Sequence, residues 1–403
     1  MTEPAEGPTK QTVPAWSRGW LEIRQLATGR GNCALIIAPD GTSYVVDVGE
    51  SHREARSSTA PKPDGSRRPG EWAARYIARH LPEGGRDRID YLIATHLHGD
   101  HIGEVGGENG VTGPASADGS YVLTGIPDLA QHLEIGMLVD RAFPSYDYPQ
   151  SLEDPTVSNY RNFVQARVHG GGSVARIEVG ATDQLAPRTD PQAFPGFSVR
   201  GLAANGVVWA GSGNHTRSLF PDLDQLPPDQ YPTENMCSLA LLFSYGAFRF
   251  YTGGDLPFAT ADGAESWRDI ETPVARAAGP VDVAVLNHHG YVDADGPEFV
   301  RALRPQVFVG SGWDSCHPTI EVLARLLDRR LYPQDREVLV TNMMEENRIV
   351  NRRLDECGSD EGHIVIRVAP GGSTFEVNIL DNSDEEDRLL KTFGPYQSGR
   401  ARR

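Results

Sequence analysis

Four side chains that commonly bind metals are crowded into one short segment of this chain. His96, His98, Asp100 and His101 fall within six positions, directly after a short apolar run. Only 12 of the 403 residues are histidine, so this density favours a metal-binding segment over a surface loop that is rich in histidine by accident. In a turn, residues two apart can point the same way. His96 and His98 can therefore share one metal, while Asp100 and His101 turn toward a second. Imidazole and carboxylate ligands suit zinc, with manganese or iron as alternatives.

The elements before this segment predict how it is held. Apolar residues 91–94 predict a buried strand that ends at the histidines. Residues 34–48 contain two apolar runs around Pro-Asp-Gly-Thr and predict a hairpin whose second strand ends in Asp47, Val48 and Gly49. A carboxylate inside an apolar strand is costly unless it is paired. Asp47 is therefore predicted to hold the metal loop by hydrogen bonds, and capping of the following turn is the alternative role.

Two later strands also end in residues that can bind metals. Residues 237–252 predict a hairpin that leads into Gly-Gly and then Asp255. The apolar residues 281–286 lead into His288 and His289. Strands of α/β proteins often carry ligands at their carboxyl ends, and a glycine pair permits close backbone approach. A carboxylate between two metals can bridge them, which makes Asp255 the candidate bridge.

The remaining histidines and the cysteines give weaker signals. His132 and His169 are isolated, and we interpret both as residues that bind no metal. The four cysteines are scattered without a Cys-x-x-Cys pair, which argues against a zinc knuckle and against a disulfide framework. Cys316 lies beside His317 and is a weak candidate nucleophile that we interpret as a packing residue.

The rest of the chain predicts an alternation of strands and helices with two long irregular regions. Residues 51–70 predict a flexible loop, and residues 103–196 are interpreted as an insertion that shapes a substrate pocket. The loop carries a group of basic residues that could form a positive rim beside the metals: Arg53, Arg56, Arg67 and Arg68. The predicted helices are residues 71–81, 159–168, 267–278, 297–303 and 319–330.

Composition restricts the class of protein and its partners. Hydrophobic residues make up 39% of the chain, so we expect a packed core. No apolar run reaches about 18 residues and the first twenty residues have no apolar region, so we expect no membrane partner, no secretory signal and a cytoplasmic location. The net charge of -17 argues against stable binding of duplex DNA. We expect a disordered tail at residues 1–18, one domain at 19–380 and a charged, disordered tail at 381–403.

Four short motifs of this chain together resemble those of the metallo-β-lactamase fold superfamily. In chain order they are Asp-Val-Gly, Thr-His-Leu-His-Gly-Asp-His, Thr-Gly-Gly-Asp and His-His-Gly. The resemblance covers about residues 19–380 and is greatest to the soluble hydrolase domain of ComEC-type DNA-uptake proteins and their free-standing relatives. Their Asn-x-x-Ser-Leu strand motif matches residues 235–239, and their later His-Pro pair matches His317 and Pro318. Where the family's first strand often opens with Gly-Asp, this chain has Gly31 and Asn32.

This resemblance implies an α/β fold, a four-layer αββα sandwich with inserted loops, and a site for two divalent metal ions. Zinc is expected, and manganese or iron are alternatives. The implied metal ligands are His96 and His98 for one metal, Asp100, His101 and His289 for the other, Asp255 as the bridge and His215 as a further ligand. His288 would face the substrate, although it could exchange roles with His289, and a surface position is the alternative for His215.

The implied function is hydrolysis of phosphodiesters by a hydroxide that bridges the two metals. Asp100, Asp255, His288 and His317 are the candidate catalytic residues, with His317 donating a proton to the leaving oxygen or holding a phosphate. We expect a small or single-stranded substrate. Hydrolysis of a lactone, β-lactam or thioester is the alternative reaction, and a metal-bound regulatory protein with little turnover is the alternative class. The sequence does not indicate an oligomeric state.

Overall fold

The computed structural model describes residues 11–52, 57–82, 87–106, 113–259, 263 and 265–400. Its strands are β1 (Leu21–Gln25), β2 (Cys33–Ile37), β3 (Ser43–Val48), β4 (Arg88–Ile93), β5 (Glu134–Asp140), β6 (Ser173–Arg176), β7 (Phe197–Ala204), β8 (Val207–Trp209), β9 (Thr216–Ser218), β10 (Ala240–Tyr245), β11 (Phe248–Thr252), β12 (Val283–Val285), β13 (Val307–Gly310), β14 (Glu337–Val340), β15 (His363–Val368), β16 (Thr374–Leu380) and β17 (Leu389–Gln397). Its helices are α1 (Pro69–His80), α2 (Gly99–Ile102), α3 (Gly125–Leu129), α4 (Pro155–His169), α5 (Glu271–Ala278), α6 (Pro297–Leu303), α7 (Ile320–Leu326) and α8 (Glu345–Val350).

The strands form two mixed sheets. The first has the order β17-β16-β15-β1-β2-β3-β4-β5-β6, and the second has the order β14-β13-β12-β11-β10-β7-β8-β9. Neighbouring strands from β3 to β6 run parallel, as do those from β11 to β14. Parallel strands present their carboxyl ends at one edge of a sheet, where ligands commonly bind.

Apolar side chains fill the space between the sheets and cover both outer faces. Tyr44 of β3 stacks on Tyr91 of β4 with ring centroids 5.0 Å apart, and Phe243 of β10 meets Tyr44 edge-on from the opposite sheet. A second buried cluster packs α1, α3 and α4 against the first sheet, and a third packs α5, α6 and α7 against the second. The four-layer αββα sandwich that the resemblance implies is therefore the fold of this chain.

Most of the predicted elements are present close to their predicted bounds. The helix expected at residues 297–303 is α6, and the one expected at 159–168 begins earlier, at Pro155. Asp154 explains the earlier start, because its side chain accepts hydrogen bonds from the backbone N–H groups of Thr156 and Val157. No described helix combines the length and apolar character that a membrane crossing needs.

Two predictions about irregular regions are wrong. Residues 103–196 are not simply an insertion, because β5 pairs in parallel with β4 and extends the first sheet. Residues 381–403 were expected to be disordered, but β17 lies within them and pairs antiparallel with β16. Its sequence, with charged and small residues among apolar ones, gives no strong strand pattern, and the exposed edge position tolerates that. The prediction of a disordered N-terminal tail lies largely outside the described residues.

Candidate metal centre

Asp47 anchors the segment that carries the histidines. It lies at the end of β3 with its side chain fully buried and its backbone at φ 58°. Its carboxylate accepts hydrogen bonds from the backbone N–H of Thr95 at 2.7 Å and from the Thr95 hydroxyl at 2.8 Å. It also accepts from Asn32 Nδ2 at 2.9 Å and from His101 Nδ1 at 2.8 Å. The predicted role of Asp47 as a hydrogen-bonding anchor therefore agrees with its geometry.

The turn after β3 must pass very close to the histidine segment. A Cβ atom added at Gly49 would lie 1.7 Å from the carbonyl oxygen of Asp100, so only glycine fits there. The backbone N–H of Asn32 also donates to this carbonyl, at 2.8 Å. The Asp-Val-Gly motif thus supplies an anchor for His101 and room for the backbone of Asp100.

One group of ligand atoms is formed by Asp100, His101, Asp255 and His289, which lie within 4.8 Å of one another. The Nε2 atom of His101 lies 3.2 Å from Nε2 of His289 and 3.1 Å from Oδ1 of Asp255. His289 Nδ1 donates to the carbonyl oxygen of Ser311 at 2.9 Å, and its Nε2 lies 3.0 Å from Asp100. With each Nδ1 acting as a donor elsewhere, both Nε2 atoms are left as potential metal ligands.

A second group consists of His96, His98 and Asp255. His96 Nε2 lies 3.1 Å from Nδ1 of His98 and 3.5 Å from Oδ2 of Asp255. His96 is fully buried at the end of β4, whereas His98 is exposed in the turn that follows. The two oxygens of Asp255 therefore face different groups, as a bridging carboxylate requires.

The donor set fits divalent metal ions. Asp255 Oδ1 is buried and accepts no well-aligned hydrogen bond among the described residues, although Nε2 of His101 lies 3.1 Å away. A buried carboxylate oxygen without such a bond is costly. Within each group, two imidazole nitrogens also face one another at a distance of about 3 Å. Such lone pairs repel one another and the carboxylates unless a proton or a cation lies between them. Nitrogen and carboxylate ligands suit zinc, manganese or iron.

The electrostatics of the site also favour a bound cation. Burial opposes ionisation of Asp255, but the adjacent His101 and His288 lower its pKa well below the usual range. Burial likewise opposes charging of His101, yet Asp255 and Asp100 raise the pKa of His101 well above its usual value. Burial lowers the pKa of His96 well below its usual value. The carboxylates therefore remain ionised and attract positive charge into a buried space.

His288 and His289 have different partners although they are neighbours in sequence. Both lie in a tight turn over residues Asn287–Gly290, at φ 46° and 55°. His288 Nδ1 donates to Asp293 at 2.6 Å, and its Nε2 lies 3.7 Å from Asp255. His289 joins the group with His101, so His288 is left facing the cleft beside the two ligand groups. The geometry places His289, and not His288, in the described group of ligand atoms, and which of the two histidines binds metal stays a prediction.

His317 lies beside the same group. Its ring stacks on His289 with centroids 4.9 Å apart, and its Nδ1 accepts a hydrogen bond from the backbone N–H of Asp314 at 3.3 Å. Cys316, the weak nucleophile candidate, donates its thiol to Asp314 at 2.9 Å. An Nδ1 that accepts leaves the ring proton on Nε2, so His317 is a neutral donor at the edge of the cleft.

His215 is not brought into either group. Its side chain is exposed at the turn between β8 and β9, where its backbone carbonyl accepts from the N–H of Ala210. The predicted further ligand at this position is thus a surface residue in this structure. The alternative interpretation, a histidine on a surface loop, is the one that fits.

The predicted arginine rim is also not formed by its described members. Arg68 makes a two-pronged hydrogen bond to Asp128, and Arg67 pairs with Glu71 on the first turn of α1. Neither arginine lines the cleft that opens over the two groups of ligand atoms. Arg53 and Arg56 lie outside the described residues.

A cleft of about 610 Å³ opens over the two metal groups. Its walls combine apolar side chains with carboxylates, and they include Leu97, Leu152, Asp154, Val157 and Trp313. Three of these belong to the region that the sequence assigned to an insertion, so its predicted contribution to the pocket agrees with the structure. The volume suits a small molecule or a short segment of a polymer.

The geometry can now be set beside known families. Residues 26–115 match the family model of the Metallo-beta-lactamase superfamily. The match spans β2 to α2 and includes Asp47, His96, His98, Asp100 and His101. It ends before Asp255 and His289, which the fold adds to the same site. A search of curated proteins found no match to the chain.

Sequence reasoning missed two residues that hold the site. Glu234 accepts a hydrogen bond from the backbone N–H of Leu97 at 2.7 Å, and Arg141 forms a buried ion pair with Glu234. Neither belongs to a recognisable motif. Glu234 does stand directly before the Asn-x-x-Ser-Leu motif, and that position was the only signal in the sequence.

Proposed function

We propose that this protein is a metal-dependent hydrolase that binds two divalent metal ions and cleaves small or single-stranded phosphodiesters. The observation that carries the proposal is the position of Asp255. It belongs to both ligand groups, and its buried Oδ1 accepts no well-aligned hydrogen bond in the described part of the chain. A carboxylate in this environment is best satisfied by cations on both sides. Zinc is the metal we propose, with manganese and iron as the other ions to test.

Two bound divalent ions would supply a water activated at neutral pH and would offset negative charge that develops on the substrate. The residues of the chain supply the remaining functions. His317 would present its Nε2 proton to a substrate oxygen at the edge of the cleft. Burial lowers the pKa of His317 well below its usual value, so the ring would act as a neutral donor across the physiological pH range.

His288 would contact the substrate on the opposite side of the second group. Burial opposes its protonation, but Asp255 and Asp293 raise the pKa of His288 to about 9 in the metal-free chain. A protonated His288 held by Asp293 would donate a hydrogen bond to a phosphate oxygen. Cations on Asp255 would weaken this effect, so Asp293 would be the partner that keeps His288 oriented.

The form of the cleft bears on the substrate class. Its volume of about 610 Å³ suits a mononucleotide-sized group or a few linked nucleotides rather than a duplex. Among the described residues that line it there is no arginine or lysine, so the metals and the histidines would hold the phosphate. The net charge of -17 further opposes a long polyanion.

The preference for phosphodiesters over other esters rests on the resemblance to ComEC-type hydrolase domains. Two members of the matching motif contact the site. Asn235 lines the cleft with its Nδ2 3.5 Å from Nε2 of His288, and the Ser238 hydroxyl accepts from the backbone N–H of Asp255 at 3.2 Å. Hydrolysis of a lactone, β-lactam or thioester is the second candidate, because Leu97, Leu152 and Trp313 give the cleft apolar walls.

The test combines metal analysis with a hydrolysis screen. Metal-free protein would be loaded with zinc, manganese or iron, and then assayed with bis(p-nitrophenyl) phosphate, cyclic dinucleotides, single-stranded oligonucleotides and a lactone. We expect two metals per chain and hydrolysis of phosphodiesters that a chelator abolishes. Hydrolysis of the lactone alone would support the second candidate. Tight binding of metal without turnover of any substrate would instead support a regulatory protein.

A further inference from the structure

A buried ion pair contacts the segment that carries the first ligand group. Arg141 directly follows β5 of the first sheet, and its side chain is 1% exposed. Its Nε donates to Oε1 of Glu234 at 2.7 Å, and its Nη2 donates to Oε2 of the same carboxylate. Its Nη1 donates to the Tyr148 carbonyl at 3.1 Å and to Asn205 Oδ1 at 3.0 Å. The guanidinium is thus held on three sides, and it fixes the orientation of Glu234.

Glu234 in turn holds the peptide that joins the two histidines of the first group. Its Oε1 accepts from the backbone N–H of Leu97 at 2.7 Å. Leu97 lies between His96 and His98, so the orientation of this peptide sets the distance between the two imidazoles. The carboxylate holds the backbone, and among the described residues it is a member of neither group of ligand atoms, although it lines the same cleft.

The segment that begins at Glu234 also positions the third member of this group. The backbone N–H of Leu239 donates to the carbonyl of Thr95 at 2.8 Å, just before His96. The Ser238 hydroxyl accepts from the N–H of Asp255 at 3.2 Å. One segment, residues 234–239, therefore makes hydrogen bonds to the backbone next to His96 and His98 and to the backbone N–H of Asp255 itself.

The second group is held by other residues. Asp47 orients His101, and the carbonyl of Ser311 orients His289. Neither Asp47 nor Ser311 contacts Glu234 or Arg141 through a hydrogen bond that the structure describes. The supports of the two groups meet at Thr95, which donates to Asp47 and accepts from the N–H of Leu239, and at the shared Asp255. In the described part of the chain, Glu234 and Arg141 themselves hold only the Leu97 peptide of the first group.

We propose that Glu234, held in place by Arg141, is a positioning residue that sets the affinity of the first metal site and leaves the second largely unaffected. The inference rests on the proposed two-metal function. Residues that orient metal ligands without touching the metal typically change metal affinity about 10- to 100-fold when they are replaced. The Arg141–Glu234 pair would therefore control whether the protein holds one or two metals at a limiting metal concentration.

The experiment measures zinc binding to metal-free protein by equilibrium dialysis, with the wild type and the variant Glu234→Gln side by side. Gln keeps the shape of the side chain but loses the charge that Arg141 holds. We expect two binding steps in the wild type. In Glu234→Gln we expect one step to weaken by about 10-fold or more and the other to stay within about twofold.

A double-mutant comparison assigns the affected site. His98→Ala should by itself weaken the first site. If Glu234 acts on the same site, adding Glu234→Gln to His98→Ala should cause little further loss, because the two changes are coupled. Additive losses of affinity, or a loss at the second site only, would overturn the proposal.

Matched controls separate positioning from simple loss of stability. Glu22→Gln removes a carboxylate that is fully buried and paired with Arg24 and Arg367, and that belongs to neither ligand group. It should lower the denaturant midpoint without changing either zinc affinity. If Glu234→Gln does not fold, the double variant Glu234→Gln with Arg141→Met removes the unpaired buried charge and should fold while still binding the first zinc weakly.

The outcomes distinguish this inference from the proposed function. Wild-type protein that binds no zinc would refute the two-metal function itself. Wild-type protein that binds two zinc ions, together with a Glu234→Gln variant of unchanged affinity, would refute only the role of Glu234. Equal weakening by Glu22→Gln would show that the effect comes from stability and would also refute it.

Discussion

Replacement of Asp47 by asparagine tests how the metal loop is held. The change keeps the size of the side chain and removes its charge. Among the described residues, Oδ2 of Asp47 accepts hydrogen bonds from Asn32, Thr95 and His101, whereas Oδ1 accepts only the backbone N–H of Thr95. The least costly orientation of asparagine therefore keeps its oxygen at the Oδ2 position and turns its NH₂ group toward the Thr95 N–H.

The expected loss of stability follows from this count. An unsatisfied buried N–H costs about 1–3 kcal/mol, and three bonds lose the strength that a charged acceptor gives. We expect the free energy of unfolding of the metal-free variant to fall by roughly 2–4 kcal/mol. A neutral acceptor behind His101 also makes its Nε2 a weaker ligand, so the affinity of the second metal site should fall about 10- to 100-fold.

Urea unfolding of the metal-free protein and zinc dialysis measure the two effects separately. Asn32→Ser is the matched control, because it removes one donor to Asp47 and leaves the bond to His101 in place. We expect the control to lose about 1 kcal/mol of stability and to keep both zinc affinities. An Asp47→Asn variant that binds both metals as tightly as the wild type would refute the reasoning.

Three further predictions follow from the site and the core. Asp255→Ala should lose most of the metal at both sites and nearly all hydrolysis. Two retained metals per chain, measured by elemental analysis, would contradict the bridging role. His289→Ala should empty the second site, whereas His288→Ala should lower turnover with metal content close to normal. The reverse pattern in metal analysis would exchange their roles. Burial lowers the pKa of His363 to about 3 from an ordinary value of 6.5, so the unfolded chain takes up this proton first as the solution is acidified. The stability contributed by burying neutral His363 is therefore fully present above about pH 6.5, and it is lost as the pH falls toward 3. His363→Gln should flatten the fall in unfolding free energy between pH 6.5 and 4, measured by urea denaturation. An unchanged slope would contradict this assignment.

The sequence was most informative where function depends on neighbours in the chain. His96, His98, Asp100 and His101 are close because they occupy one turn after one strand, and the spacing alone indicates this. Asp47 stood out because a carboxylate inside an apolar strand needs partners. The motif resemblance implied the αββα sandwich. That these residues bind metal stays a prediction that the experiments above test.

Weak local patterns were the first limit of the sequence. Strand β17 was missed because an edge strand need not be apolar, and β5 was missed because Gly and Ser crowd the region before it. His215 was offered as a ligand because it is the nearest histidine in sequence before Asp255. The fold places it at an exposed turn instead.

Contacts between distant segments were decided only by the tertiary structure. The two histidines of the His-His-Gly motif are alike in sequence, and only the tight turn at positive φ sends His289 to the metal group and His288 to Asp293. Glu234 and Leu97 are 137 residues apart, and no local pattern links them. The sequence by itself determined which residues could bind metal. The packing of two sheets determined which of them meet and which buried charges hold them there, because those bonds form only once the intervening chain has folded.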